Sequence, residues 1–167
     1  LEKPDVVINV LDASVLERNL FFTLQLLEMQ APIVLCLNQV DVAKSKGMII
    51  DKDKLQTSLG VPVVFSTATR GEGIYEVVRE AVKVATQKPK PRPFKYRKEL
   101  EEKIEQLKTL IEKKNLSLQY PSRWIAIKLL EGDSKITEIV AVKSQAVLTA
   151  SKTVAKDLQK SCQEPCF

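Results

Sequence analysis

Two short polar segments in the first half of the chain carry the residue types best suited to chemistry. Asn38 and Asp41 follow one apolar run, and Ser66, Thr67 and Ala68 follow the next. A carboxylate held at a strand end can accept from a flat ring edge with two adjacent donors, and guanine presents that edge as its N1–H and its N2 amine. Adenine lacks this pair of donors, and leaving the buried charge unmatched costs about 1–3 kcal/mol. We therefore predict that Asp41 selects guanine.

The remaining groups of the two segments support this prediction. We expect Asn38 to tie its loop to the neighbouring loop and to offer its amide to the base, while a backbone N–H of the 66–68 turn donates to guanine O6. An alternative remains open, because Asn and Asp after a strand most often form a helix cap or an Asx-turn. In that case Asn38 and Asp41 would shape the loop without binding a ligand.

The elements that must position these residues form an alternating pattern. Apolar, β-branched runs at 5–12, 32–38 and 62–66 indicate parallel strands buried on both faces. Helical spacing predicts helices at 15–29, at 52–59 between an Asp51 cap and Gly60, and at 74–86. The order β-α-β-α-β-α favours an open α/β fold with helices on both faces, in which ligands bind beyond the carboxyl ends of the strands.

The second half of the chain has a different composition. Residues 1–87 carry a net charge of −2 and residues 88–167 a net charge of +7, and three prolines at 89, 91 and 93 separate them. We predict a linker at 88–95, an all-α domain at 96–160 and a tail at 161–167. Apolar spacing within that domain predicts three helices, at 96–113, from 122 to Gly132, and at 136–158.

Composition excludes several classes of protein. The chain has no histidine, which removes Ser-His and Cys-His catalysis and the imidazole ligands of zinc. No run of 18 apolar residues is present, and three cysteines make an odd number, so we expect a soluble chain in a reducing compartment. Cys36 lies in an apolar run and is predicted to pack in the core, whereas Cys162 and Cys166 are two thiols without further ligands and are assigned to the tail.

The two polar segments resemble known motifs. Asn38-Gln39-Val40-Asp41 and the Ser66–Ala68 turn are similar to the fourth and fifth motifs of Ras-like GTPases, with Gln39 in place of the usual Lys. The wider stretches at 3–13, 16–20 and 59–64 look like the ferrous iron transport protein B family, in which a residue other than Lys is common at that position. Tyr-Pro-Ser-Arg-Trp at 120–124 and Lys-Leu-Leu-Glu-Gly-Asp at 128–133 resemble the helical domain of that family.

The resemblance implies a partial Ras-like P-loop GTPase fold, the C-terminal half of a G domain at 1–87, followed by a small helical domain. It implies GTP or GDP as ligand, bound by six residues: Asn38, Gln39, Asp41, Ser66, Thr67 and Ala68. It further implies an N-terminal G-domain half upstream and a transmembrane part downstream as partners, at the cytoplasmic face of a prokaryotic membrane, with Fe(II) uptake regulated by a GTPase cycle.

The phosphate side of such a site has no counterpart in this sequence. None of the five glycines is followed by Lys, so no phosphate-binding Gly-Lys-Ser/Thr loop is present, and no Asp-x-x-Gly element is present either. We therefore expect no catalytic residue and no metal ligand here, Mg²⁺ only in a complete G domain, and no GTP hydrolysis by these residues alone.

Two rival functions stay open at this point. One is a non-catalytic interaction module completed by a partner chain, because an incomplete parallel sheet should expose an edge and an apolar face. The other is a nucleic-acid binder that uses the basic second region, where Phe94 and Tyr96 alternate with cations at 88–98. A linker explains that stretch better, so we expect nucleic acid not to be the partner.

Overall fold

The computed structural model describes residues 4–89, 92–116 and 118–161, without the side chains of 159–161. The chain divides into two compact units, the first ending at Phe94 and the second beginning at Lys95. The predictions made for Cys162 and Cys166 lie outside the described residues. Within these residues, no helix combines the length and the apolar character needed to cross a membrane.

The first unit is a three-stranded parallel sheet with helices around it. The strands are β1 (Val7–Asp12), β2 (Ile33–Asn38) and β3 (Val63–Phe65), in the order β1-β2-β3. The helices are α1 (Leu16–Glu28), α2 (Val40–Ser45), α3 (Lys52–Leu59) and α4 (Ile74–Gln87). The predicted α/β architecture is confirmed, and α2 is an additional helix that apolar spacing did not reveal.

Each face of the sheet packs against its own helices. On one face Leu35, Leu37 and Val63 lie in a cluster with Leu27 of α1 and Leu59 of α3. The opposite face buries three residues, Val34, Cys36 and Val64, against the Val77, Ala81 and Val84 side chains of α4. Cys36 is 4% exposed, so its predicted place in the core is confirmed.

Strand β1 differs from the expectation of burial on both faces. Ile8 and Val10 pair in register with Val34 and Cys36, so they lie on the α4 side of the sheet, yet they are 42% and 59% exposed. The reason is that α4 packs more against β2 than against the edge strand β1. The predicted exposure of an edge and an apolar face is therefore confirmed, and the prediction of a fully buried β1 is wrong.

Local signals start and stop the elements of this unit. The Asp51 side chain accepts from the Lys54 N–H at 2.9 Å and caps α3, which ends at Gly60 in the left-handed region with φ +70°. Asp12 caps a short 3-10 turn, Ala13–Val15, by accepting from the Ser14 N–H at 2.8 Å. These caps satisfy amide groups that the helices cannot pair internally.

The second unit consists of α5 (Lys98–Lys113), α6 (Ser122–Glu131), α7 (Ser134–Lys143) and α8 (Gln145–Ser161). The single helix predicted at 136–158 is wrong, because the chain is extended at Ser144 (φ −159°, ψ 97°). The hydroxyl of Ser144 accepts from the Val147 N–H at 3.5 Å and so caps α8, as serine commonly does. All four helices contribute to one apolar core that includes Ile104, Ile125 and Val140.

Candidate functional site

The two predicted segments meet at the carboxyl edge of the sheet. The Ser66 N–H donates to Leu37 O at 2.8 Å, which continues the β2–β3 pairing past the end of β3. The Val40 N–H donates to Ser66 O at 3.4 Å, which joins the start of α2 to the turn after β3. This edge is where open parallel sheets bind ligands, because the connecting loops lie side by side there.

Asn38 is the group that ties the two segments together. Its Oδ1 accepts from the Ala68 N–H at 3.0 Å and from the Ser66 hydroxyl at 3.2 Å. Ser66 and Thr67 are buried, and the Ser66 hydroxyl also lies 3.2 Å from the Cys36 thiol. Both contacts use the Asn38 oxygen. The Nδ2 amide group is the donor of this side chain, and it can be offered to a ring.

The turn after β3 is clamped from its other end. Thr67 and Glu72 exchange two backbone hydrogen bonds, at 3.1 and 3.3 Å, in an isolated antiparallel bridge. Gly73 follows with φ +79°, and a Cβ on it would lie 2.1 Å from Phe65 O. Only glycine combines this backbone angle with so close an approach. The start of α4 therefore fixes the shape of the 66–72 loop.

The amides of the 66–68 turn already have acceptors in this structure. The Ser66, Thr67 and Ala68 N–H groups donate to Leu37 O, Glu72 O and Asn38 Oδ1 respectively. A ring oxygen could therefore reach the Ala68 N–H only by sharing it with Asn38 or by replacing Asn38. The sequence did not show that this amide would be engaged.

Asp41 lies in the first turn of α2, with its side chain about one third exposed at 32%. Its Oδ1 accepts from the Val42 N–H at 3.0 Å, a local contact of the kind that the loop-shaping alternative expects. Its Oδ2 lies 3.6 Å from Nη2 of Arg70, the residue that ends the 3-10 turn Ala68–Arg70. The carboxylate is thus linked, through Arg70, to the loop that carries the 66–68 turn.

Gln39 has an unusual backbone conformation. It is exposed and lies in the left-handed region at φ 60°, ψ 36°, immediately before α2. Such a conformation costs a residue with a side chain about 1–2 kcal/mol. The bend turns the chain at the end of β2, so that Asp41 follows within the first turn of the new helix.

Sequence reasoning missed Arg70, Glu72 and Gly73 as parts of this site. The Arg-Gly-Glu-Gly segment at 70–73 shows only that a tight turn precedes α4, because the spacing of two glycines says nothing about which backbone they approach. No group of three or more potential metal ligands occurs among the described residues.

Comparison with known proteins decides the family. Residues 1–81 match the family model for ferrous iron transport protein B, and residues 96–166 match the model for the FeoB cytosolic helical domain. The chain belongs to the FeoB family. The resemblance noted in the sequence and the assignment of a partial G domain followed by a helical domain are both confirmed.

Named FeoB proteins are similar over most of this chain. It is 36% identical over 154 residues to the Fe(2+) transport protein A/Fe(2+) transporter FeoB fusion protein of Porphyromonas gingivalis, covering 89% of this chain and 18% of that protein. It is 40% identical over 129 residues to the Fe(2+) transporter FeoB of Salmonella typhimurium, covering 77% of this chain and 16% of that transporter. The chain thus spans less than a fifth of the length of either relative.

A solved FeoB structure has the same fold. A mutant of S. thermophilus NFeoB bound to mGDP superposes with a TM-score of 0.84 at 34% identity, covering 99% of this chain and 63% of that chain. The superposition therefore shows that this chain has the predicted Ras-like fold class. The solved relative itself is bound to mGDP.

Proposed function

We propose that this chain forms the base-recognition part of the guanine-nucleotide site of a FeoB-type ferrous iron transporter. The observation that carries the proposal is the hydrogen-bonded junction of Asn38 with Ser66 and Ala68, at the sheet edge beside Asp41. The nucleotide-bound solved relative supports it, because that protein holds mGDP on the same fold.

Each residue has a defined part in the proposed site. Asp41 accepts from N1–H and the N2 amine of guanine, which is the contact that rejects adenine. Asn38 keeps the two loops together and offers its Nδ2 amide group, and the Ala68 N–H of the turn formed by Ser66, Thr67 and Ala68, which Asn38 Oδ1 shares, donates to O6. Gln39 lies over the ring, with a shorter apolar stem than the Lys of other Ras-like proteins.

In the whole transporter, we place the phosphate and Mg²⁺ contacts on residues outside this sequence. This chain has no Gly-Lys-Ser/Thr loop, and its contribution is selection of the base rather than hydrolysis. We propose that the nucleotide state of the complete domain regulates Fe(II) uptake through a transmembrane part of the same protein, with this region at the cytoplasmic face of the membrane.

The proposal is tested by isothermal titration of the chain with GDP and with ADP. Both ligands carry the same phosphates, so any difference in affinity comes from the base. We expect GDP to bind at least about tenfold more tightly, which corresponds to the lower part of the 1–3 kcal/mol range for an unmatched buried group.

Two variants sharpen this test. Asp41→Asn keeps the size of the side chain but loses the two-oxygen acceptor, so the preference for GDP should fall to near one. Asp53→Asn removes the same charge from an exposed position in the first turn of α3 and should keep the preference. Equal binding of GDP and ADP by the unmodified chain, or an unchanged preference in Asp41→Asn, would contradict the proposal.

A second candidate function is an interaction module completed by a partner chain. The observation that favours it is the exposed edge strand β1, whose Ile8 and Val10 lie on the same side as the exposed Val78 and Val82 of α4. An apolar face next to an unpaired strand edge is a surface that a further strand and helix can cover.

The packing of Phe94 and Tyr96 argues against the nucleic-acid alternative. Phe94 packs against the apolar cluster of the first unit, and Tyr96 packs against that of the second unit, with Arg123 near its ring. Aromatic side chains that stack bases must present an open ring face. Both rings are instead partly buried against the apolar clusters of their own units.

A further inference from the structure

We infer that Arg70 competes with the base for the Asp41 carboxylate, which it contacts in this structure, and that a bound base displaces it. The inference rests on the proposed function, since it concerns the same Asp41 oxygens. It adds a residue that lowers the affinity of the site for the base and that is not among the six residues assigned to base binding.

The backbone hydrogen bonds of the 3-10 turn after β3 place Arg70 close to Asp41. The Arg70 N–H donates to Thr67 O at 2.8 Å, and the Gly71 N–H donates to Ala68 O at 3.1 Å. These bonds close the 3-10 turn Ala68–Arg70 and hold the Arg70 backbone beside the end of β3. The guanidinium then reaches Asp41, with Nη2 3.6 Å from Oδ2.

The guanidinium resembles the base edge that Asp41 is proposed to bind. Arginine presents N–H groups side by side in one plane, and guanine presents N1–H and the N2 amine in the same way. Oδ1 of Asp41 also accepts from the Val42 N–H, and Oδ2 faces Arg70, so Oδ2 is the oxygen at which the guanidinium and one donor of the base would meet. The planar guanidinium and the planar ring both need the space in front of Oδ2, and they therefore compete for that position.

The strength of this competition follows from exposure. The Arg70 and Asp41 side chains are 63% and 32% exposed, and exposed ion pairs are worth little because water and salt screen them. Removing the arginine should therefore tighten base binding by about two- to fivefold. High salt should tighten binding to the unmodified chain as well, because it weakens the pair that blocks the base.

The test uses guanosine, which carries no charge, so that Arg70 cannot act by attracting phosphates. Binding is followed on the full chain by amide NMR signals of residues 66–73, at low and at high salt. We expect Arg70→Ala to bind guanosine about two- to fivefold more tightly than the unmodified chain and with little dependence on salt. Arg70→Lys keeps the charge and should keep the salt dependence.

Arg79→Ala is the matched control, because Arg79 is an exposed arginine on α4 whose partner is the adjacent Glu80. It should behave like the unmodified chain. Weaker guanosine binding in Arg70→Ala would overturn the inference, since it would mean that Arg70 holds Asp41 in position for the base. Equal affinity and equal salt dependence in the two proteins would overturn it as well. If the unmodified chain bound guanosine no better than adenosine, the proposed function itself would fail.

Discussion

Gly73 offers a sharp test of the idea that the start of α4 fixes the base-binding turn. Its backbone lies at φ +79°, and an added Cβ would meet Phe65 O at 2.1 Å and Ser66 Cα at 3.0 Å. Gly71, two residues earlier, has a similar φ of +70° but nothing within 4 Å of its Cβ position. Comparing alanine substitutions at these two glycines separates backbone strain from steric clash. Both substitutions place alanine at a positive φ, but only Gly73→Ala also pushes a Cβ against backbone atoms.

The magnitudes of the two substitutions follow from these distances. Alanine in the left-handed region costs about 1–2 kcal/mol, so Gly71→Ala should destabilise the first unit by that amount alone. Gly73→Ala adds the overpacking of a methyl group against backbone atoms, typically about 1–3 kcal/mol, for a total of about 2–5 kcal/mol. Since the displaced atoms belong to Phe65 and Ser66, the same substitution should move the turn that carries the proposed O6 donor.

Urea unfolding followed by amide NMR signals of residues 63–77 measures the stability of this region. The same signals, titrated with GDP and ADP, measure base preference. We expect Gly73→Ala to lose the preference for GDP even at low urea, where the unit is folded, and Gly71→Ala to keep it. The reasoning is refuted if Gly73→Ala is no less stable than Gly71→Ala, or if it binds GDP with unchanged preference.

Three further outcomes are expected. The Arg123 hydrogen bond holds the pKa of Glu101 below its ordinary 4.5, so this contact stabilises the helical unit above about pH 4.5 and is lost as pH falls through the lowered pKa. Arg123→Met should therefore reduce the free energy of unfolding by about 1.5–3 kcal/mol at pH 7 and by less at pH 3, as followed by fluorescence of Trp124, the only tryptophan. We expect the exposed apolar face that includes Val10 and Val82 to cause self-association. Replacing either valine by lysine should reduce this association in sedimentation measurements without lowering the melting temperature. Unchanged association would show that this face does not take part in it. The chain should release no phosphate from GTP above the uncatalysed rate, and turnover would contradict the assignment of the phosphate contacts to residues outside it.

Most of the fold could be predicted because its signals are local and strong. The continuous apolar run at 33–37 has no polar face and is buried as expected, and Asp51 with Gly60 marks both ends of α3. Strand β1 could not be assigned in the same way. Its apolar residues indicate only that a face of the strand can be buried. Whether Ile8 and Val10 are covered depends on how far α4 extends across the sheet, and this packing of distant elements is not encoded in the local sequence pattern.

The break between α7 and α8 shows another limit of periodicity. Val140 and Val147 are both buried and seven residues apart, so they fit one continuous helix as well as two. Ser144, which caps α8, is the residue that distinguishes two helices from one. Serine also occurs inside helices, so its presence alone does not predict a break where the apolar pattern continues. Helix α2 was missed for a related reason, because its six residues are too few to show a periodic face.

At the site, residue types predicted the neighbours but not the competing contacts. Asn38 and the Ser66 turn were expected to meet, and the structure joins them through two hydrogen bonds. The pairing of Arg70 with Asp41 depends on a turn closed by backbone bonds, and no side-chain pattern encodes it. Asp41 as a guanine selector stays a prediction that binding measurements must test.

The most direct measurement compares GMP with IMP, which differ only in the N2 amine that Asp41 is proposed to recognise. The ratio of their affinities is determined for the unmodified chain and for Asp41→Asn. We expect the unmodified chain to favour GMP by at least about tenfold, the lower limit for one hydrogen bond to a charged group, and the variant to bind both equally. A ratio near one in the unmodified chain, or a preference for GMP that survives in Asp41→Asn, would contradict the account.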